Sequence, residues 1–254
     1  MGAKHGFVDT PIYALFVEGL RDMTLTNTDF RISTFESARP WRSRTDAITE
    51  PAGRAAKRVL DLTLAAAALV VGLPVFLVLA ALVKLDGGPV FFRQRRVGRD
   101  GELFAIVKFR SMAADAEARL AADPELLARY VANDFKLPAD EDPRITRVGR
   151  LLRSTSLDEL PQLWNVIRGE MSLVGPRPIV EDELLEYRVR GAQQAYLSGR
   201  PGMTGRWQAS GRSLVGYDQR IQMDVAYRRD AGVLTDVAIL LLTVVAVARR
   251  QGAH

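Results

Sequence analysis

The chain has 254 residues, 48% of them hydrophobic and 26% charged, which is enough to bury a core in one or two domains and too apolar for a disordered tail. Thirty-five Lys and Arg against 30 Asp and Glu give a formal charge of +5, favouring anionic partners such as nucleotides, phospholipid headgroups or nucleic acid. There is no cysteine, and the two histidines, His5 and His254, lie near the ends; disulfides, thiolate metal sites and a cysteine nucleophile are excluded, which leaves carboxylates for covalent or acid-base chemistry.

Residues 1–53 mix short apolar pieces with Thr, Asn, Asp, Ser, Pro40 and Pro51, without period or repeat. They carry no assignable function, and Lys4 is not followed by the apolar core and cleavage site of a signal peptide. From Arg54 the composition changes: Arg54, Lys57 and Arg58 lead into residues 62–83, an uncharged apolar run of about 22 residues, the length of a bilayer-spanning helix. Gly72 and Pro74 lie in mid-run, where proline removes a backbone donor and kinks or breaks a helix. Both flanks are basic, with Lys84, Arg93, Arg95, Arg96 and Arg99 following, whereas a single crossing keeps its positive charge on one side. These features predict a re-entrant helix that turns at residues 72–74 and returns both ends to the cytoplasm; a kinked bitopic helix is the rival. Asp61 falls three residues after Arg58 and four after Lys57, a spacing that predicts ion pairing, and the same two cations suit a lipid phosphate.

Residues 89–112 read as two strands about an Asp100-Gly101 turn. Their polar face is cationic and suited to headgroups; Lys108 and Arg110 close the second strand on one side of the alternation. Residues 113–131 have helical periodicity and residues 133–143 form an acidic loop. Arg144, Arg147, Arg150 and Arg153 then recur every third residue, along one side of a predicted helix, with Arg153 expected to point inward.

The segment Ser156-Leu157-Asp158-Glu159 matches a capping box, and a helix dipole by itself favours acids in a first turn. Pro161 agrees with a helix start. Structure and catalysis both account for these four residues, but their surroundings add phosphate chemistry. A helix start offers free N–H groups to phosphate, and Gly169, Gly175, Pro176, Arg177 and Pro178 make a rigid downstream loop that can present a guanidinium. Adjacent carboxylates on a helix diverge by about 100°, so one can attack or transfer a proton while the other holds a hard cation such as Mg²⁺. Further on, residues 200–211 are loop-like, with Trp207 suited equally to a membrane interface and to stacking on a nucleobase. Residues 218–229, including Asp224 and Tyr227, alternate charges as a solvated helix face would. Residues 233–247 are apolar but short for a crossing, which predicts an interfacial or core helix.

Lys57-Arg58-x-x-Asp61, Lys108-Phe109-Arg110-Ser111-Met112, Thr155-Ser156-Leu157-Asp158-Glu159-Leu160-Pro161-Gln162-Leu163, Ser172-Leu173-Val174-Gly175-Pro176-Arg177-Pro178 and Arg200-Pro201-Gly202-Met203-Thr204-Gly205 occur in this order. The ordered set closely resembles the monotopic bacterial phosphoglycosyl transferases, the bacterial sugar transferase family, over roughly residues 54–250. The resemblance implies transfer of a sugar 1-phosphate from a UDP-sugar to undecaprenyl phosphate through a covalent phosphosugar-aspartate. It implies Asp158 as nucleophile, Glu159 as the Mg²⁺ ligand, and Arg153, Arg177 and Lys108 as phosphate or nucleotide contacts, with Lys57 and Arg58 at the lipid phosphate and a nucleotide role open to the region of Asp224 and Tyr227. Larger members carry an N-terminal block of transmembrane helices, so a minimal catalytic form is expected here. The expected fold is α/β and predominantly helical: an extension at 1–53, a broken re-entrant helix at 54–88, and a catalytic domain with interfacial amphipathic helices at 89–254. It is expected on the cytoplasmic face of the bacterial inner membrane among membrane lipids, without nucleic acid, its homo-oligomerisation left open. The competing class is a non-enzymatic membrane adaptor that uses its basic face on anionic lipid or nucleic acid.

Overall fold

The computed structural model describes residues 51–133, 137–210 and 216–248; the extension at 1–53 therefore falls almost wholly outside the described residues. In chain order the elements are α1 (Pro51–Leu85), β1 (Phe91–Val97), β2 (Leu103–Phe109), α2 (Ala116–Ala122), α3 (Pro124–Ala132), α4 (Arg147–Thr155), a 3-10 turn (Leu157–Glu159), α5 (Gln162–Arg168), β3 (Ser172–Val174), α6 (Glu181–Val189), α7 (Gln193–Leu197), β4 (Gly202–Thr204), α8 (Arg206–Ala209), α9 (Tyr217–Asp230) and α10 (Val233–Ala248). Helices predominate, and the strands form two small sheets, β1-β2 antiparallel and β3-β4 parallel. The expected mostly helical α/β architecture is what forms.

The apolar segment is one helix of 35 residues that continues through Gly72 and Pro74, so the expected break there is not an interruption of helical structure. Proline costs a helix one donor and bends its axis without having to end it. One stripe of α1 is buried or half-buried, at Asp61, Ala65, Leu69, Gly72, Phe76, Leu79, Ala80 and Val83, the three- and four-residue spacing of one helix face. The opposite side is apolar and exposed: Val70 is 74% and Val71 80% accessible. Both ends dock on the same body. Near the start, Arg58 donates to the carbonyls of Val166 (2.7 Å) and Ile167 (2.8 Å) at the end of α5, and Asp61 accepts from Ser172 Oγ (3.1 Å) and Leu173 N (3.0 Å). At the far end Leu79 and Val83 pack with Phe109 and Leu152, while Arg110 donates to the carbonyls of Val83 and Gly87.

Asp61 thus does not pair with Lys57 or Arg58 as its spacing predicted. Its carboxylate is 2% exposed and takes neutral donors from β3, while Lys57 reaches Asp236 on α10 and the Val174 carbonyl. The Tyr227 hydroxyl lies 2.7 Å from Asp236 Oδ1 and 3.0 Å from that same carbonyl, its one proton shared between the two acceptors, so three elements converge on the end of β3.

The hairpin forms as predicted, with Phe91 opposite Phe109 and Val97 opposite Leu103, and Asp100 and Gly101 take positive φ in its turn. The helical periodicity at 113–131 is met by two helices, α2 and α3, divided at Asp123, whose carboxylate accepts from Glu125 N and Leu126 N and starts α3 with Pro124 at its first position. The region read as loop at 200–211 contains β4 and α8. Nor is α9 simply a solvated face: Arg220, Ile221, Asp224 and Tyr227 are buried, Asp224 accepting from Tyr187 Oη at 2.7 Å. In α10, Asp236, Ile239 and Ala246 face the core while Leu234, Leu241 and Val244 are exposed.

Helix α4 lies hard against the end of the hairpin. Thr146 caps it by accepting from Gly149 N at 2.9 Å, and a Cβ built on Gly149 would fall 1.8 Å from the Ser111 carbonyl oxygen. Gly149→Ala is therefore expected to destabilise the protein by about 2 kcal/mol or more, read as a lower thermal midpoint of the detergent-solubilised protein. Gly72→Ala, with nothing within 4 Å of the added carbon, should leave the midpoint unchanged or raise it.

Candidate active site

Asp158 and Glu159 occupy the 3-10 turn between α4 and α5, not the first turn of an α-helix. The expected capping box is absent, because Ser156 is the C-terminal cap of α4, in the left-handed region at φ 58°, with its N–H turned back to the carbonyls of Arg153 and Leu152. A left-handed serine is strained by about 1 kcal/mol or more. The chain accepts it to reverse direction within one residue, which places the acids beside β2 in place of continuing along α4.

There Lys108, the penultimate residue of β2, meets both. Its Nζ is 2.6 Å from Glu159 Oε1 and 4.0 Å from Asp158 Oδ2. The acids are unequal. Glu159 holds the ammonium directly, whereas Asp158, its side chain 13% exposed, is pushed up to about 6 by burial, against the field of Lys108 and with that of Glu159. Arg153 points inward as expected: its Nε donates to Ser111 Oγ at 2.9 Å, and it adds to the positive field on Asp158. The rest of the arginine series diverges. Arg144 precedes α4 and is buried in an ion pair with Asp142 (2.8 Å), and Arg147 and Arg150 are exposed.

What sets Lys108 against the turn is a residue the sequence reading did not single out. Asn165 on α5 is 1% exposed; its Oδ1 accepts from Val107 N (3.0 Å) and its Nδ2 donates to the Ala105 carbonyl (2.8 Å). One side chain so imitates a strand neighbour and fixes the register of β2 against α5. An amide on the apolar side of a predicted helix, between Gln162 and Val166, was the available signal.

A cleft opens beside the turn, lined by Arg96, Ile106, Lys108, Glu159, Gln162, Arg177, Pro178, Met203 and Gln208. Arg177 enters it from the loop after β3 and lies over the Trp207 ring at 5.2 Å. Arg96 steadies that loop by donating to the Pro178 carbonyl at 3.2 Å, and burial, with Arg177 nearby, lowers its own guanidinium to about 10, still charged at neutral pH. Arg220 lies over the same indole at 5.6 Å, so Trp207 carries two guanidinium groups. The three cations of the lining against one carboxylate make a site for an anion with several charged oxygens. Lys108, Glu159 and Arg177 are thus brought together with Asp158 and Arg153 close by. Lys57 and Arg58 do not line the cleft; their donors go to Asp236, Val174 and α5. Arg96, Gln162 and Gln208 were missed, since nothing in their local sequence marks them off from ordinary strand or helix residues.

The sequence matches the bacterial sugar transferase family over residues 52–250. It is 45% identical over 211 residues to a UDP-galactose-lipid carrier transferase of Erwinia amylovora, covering 82% of this chain and 43% of that protein. It is 43% identical over 242 residues to an undecaprenyl-phosphate galactose phosphotransferase of Salmonella typhimurium, covering 94% and 50%. With the exopolysaccharide production protein ExoY of Rhizobium meliloti it shares 44% over 209 residues, covering 80% and 90%. The chain therefore spans about half the length of the first two relatives and nearly all of the third. Matched along most of its length to both the family and these relatives, the chain belongs to the bacterial sugar transferase family.

Proposed function

We propose that the protein transfers a sugar 1-phosphate from a UDP-hexose to undecaprenyl phosphate, releasing UMP, at the cytoplasmic face of a bacterial inner membrane, as the first membrane step of exopolysaccharide or other glycan assembly. The observation that carries this reading is the unequal acid pair: a half-buried Asp158 beside Lys108, next to a Glu159 already bound to that ammonium, at a cleft lined by Arg96 and Arg177. The names of the Erwinia and Salmonella relatives supply the UDP-sugar and the lipid phosphate by analogy.

In the first half-reaction an Asp158 carboxylate oxygen attacks the β-phosphorus. The bond from that phosphorus to the bridging oxygen breaks, its electron pair leaves with UMP, and the sugar phosphate remains as an acyl phosphate on Asp158. In the second half, an oxygen of the lipid phosphate attacks the same phosphorus and the Asp158 carboxylate departs with the electrons of the P–O bond. Lys108, Arg153 and Arg177 offset the phosphate charge that would otherwise repel the nucleophile. Lys57 and Arg58 hold the start of α1 in place through Asp236, Val174 and the end of α5. Mg²⁺ is the expected cofactor. Among the described residues no group of three or more acidic or imidazole side chains could hold a metal by itself, but Mg²⁺ is commonly held by one or two carboxylates with substrate phosphates completing its shell. Glu159 beside Asp158 fits that donor set, and the ion would supply further charge screening at the diphosphate.

The docking of both ends of α1 on one body supports a re-entrant seat in the membrane. A straight crossing would place Arg58 and Arg110, which grip opposite ends of the helix, on opposite sides of the bilayer. The exposed apolar sides of α1 and α10 fit an acyl environment.

Detergent-solubilised protein with Mg²⁺ and undecaprenyl phosphate is expected to release UMP from one or more members of a UDP-hexose panel; no release across the panel would leave the adaptor reading standing. Asp158→Asn should abolish both turnover and labelling of the protein by sugar-[³²P]phosphate, and a variant that still labels would remove Asp158 as nucleophile. Because the attacking form is the carboxylate and burial raises its proton affinity, kcat/KM should fall about tenfold per pH unit below roughly pH 6, with a flat profile down to pH 4.5 as the contrary result. Cysteine reporters at residues 50 and 90 should label from the same side of sealed vesicles; labelling from opposite sides would mean a bitopic helix.

A further inference from the structure

Gln208, on α8, forms part of the wall of the cleft and is 8% exposed. Its Oε1 is buried and accepts no hydrogen bond, although Arg96, Lys108 and Arg177 share the same wall. Buried acceptors are almost always met by a donor, and an unmet one at the edge of a cleft is a place where a ligand can supply it.

The helix that carries it is closely packed. A Cβ on Gly205, which starts α8, would lie 2.3 Å from the Gly175 carbonyl oxygen and 3.0 Å from Gln208 Oε1, so α8 abuts the turn from which Arg177 projects. Arg177 and Arg220 both pack on the neighbouring Trp207. The cleft thus offers two kinds of recognition: guanidinium and ammonium groups for anionic oxygens, and one neutral acceptor for an N–H or O–H. Inorganic phosphate or pyrophosphate satisfies the cations and gives Gln208 little; a nucleotide sugar satisfies both.

We propose that Gln208 is a specificity-determining residue whose Oε1 accepts a hydrogen bond from the bound UDP-sugar, the donor being the uracil imide N–H or a sugar hydroxyl. The inference rests on the UDP-sugar reading of the site. A site built to accept a hydrogen bond discriminates against ligands that lack the donor.

The test uses Gln208→Met, which keeps length and removes the acceptor, with KM and kcat for the active UDP-hexose and inhibition constants for UMP and pyrophosphate. KM should rise about 5- to 10-fold, the worth of one neutral hydrogen bond, with kcat within about twofold and pyrophosphate inhibition unchanged. If the donor is uracil, inhibition by UMP weakens by the same factor, and wild type binds N3-methyl-UMP correspondingly less well than UMP. If it is a sugar hydroxyl, UMP inhibition stays the same and wild type loses the factor on one deoxy-sugar donor. Unchanged KM and inhibition constants, or an equal loss for pyrophosphate, overturn the assignment. Should Gln208→Met not fold, wild type decides alone: indifference to N3-methylation and to every deoxy-sugar overturns the assignment. A wild type that turns over normally while the assignment fails leaves the UDP-sugar reading intact, whereas a wild type that releases no UMP overturns both.

Discussion

Among the described residues, the double docking of α1 constrains the elements that build the cleft. A helix of 35 residues would extend over about 50 Å at 1.5 Å per residue, yet its two ends are held by one body through buried polar contacts: Asp61 with β3, Arg58 with the last carbonyls of α5, and Arg110 with the last turn of α1 itself. The guanidinium groups of Arg58 and Arg110 both sit at helix C-terminal ends, where a cation is favoured by the dipole and by otherwise unmet carbonyls. These contacts fix β3, α5 and the hairpin relative to the apolar helix, and the acid pair lies among those three elements.

The site is therefore made of segments far apart in sequence, each aimed by a local device. Ser156 turns the chain so that Asp158 and Glu159 face β2. Asn165 sets the register that delivers Lys108. Lys57 and Tyr227 meet on the Val174 carbonyl, three residues before Arg177. The charged groups at the cleft ride on elements whose positions are set by hydrogen bonds outside it, an arrangement that holds such groups in place without reorganisation.

The parts legible in the sequence are those governed by short-range pattern. The apolar run, the hairpin about Asp100-Gly101 and the helix after Pro161 each follow from periodicity or turn chemistry, and each forms. What misled was equally local. Ser156-x-x-Glu159 has the spacing of a capping box, but the preceding helix runs on to Thr155 and makes Ser156 its end. Asp61 has the spacing to pair with Lys57 and Arg58, but β3 supplies Asp61 with donors and α10 supplies Lys57 with a carboxylate. The alternating charges of α9 read as solvated until Arg220 finds the half-buried Glu183 and Asp224 the buried Tyr187. In the last two cases tertiary partners more than 20 residues away in the chain outcompeted the near ones, whereas at Ser156 the carbonyls of Leu152 and Arg153 in the preceding helix did so. At the site, Asp158, Glu159 and Lys108 were identifiable by residue type and motif, whereas Arg96 and Gln208 became visible only when the cleft closed around them.

The amide of Asn165 has one consequence beyond aiming Lys108. A two-stranded hairpin exposes two edges, and an unpaired edge is a template on which another chain can add a strand. On the β2 side, Asn165 occupies the Val107 N–H and the Ala105 carbonyl, and on the β1 side Val97 N–H is taken by the Ile179 carbonyl along a strand carrying Arg93, Arg95 and Arg96. Part of each edge is thus capped, and the arginines along β1 set like charge against a second copy, so the hairpin is a poor template for edge-to-edge association.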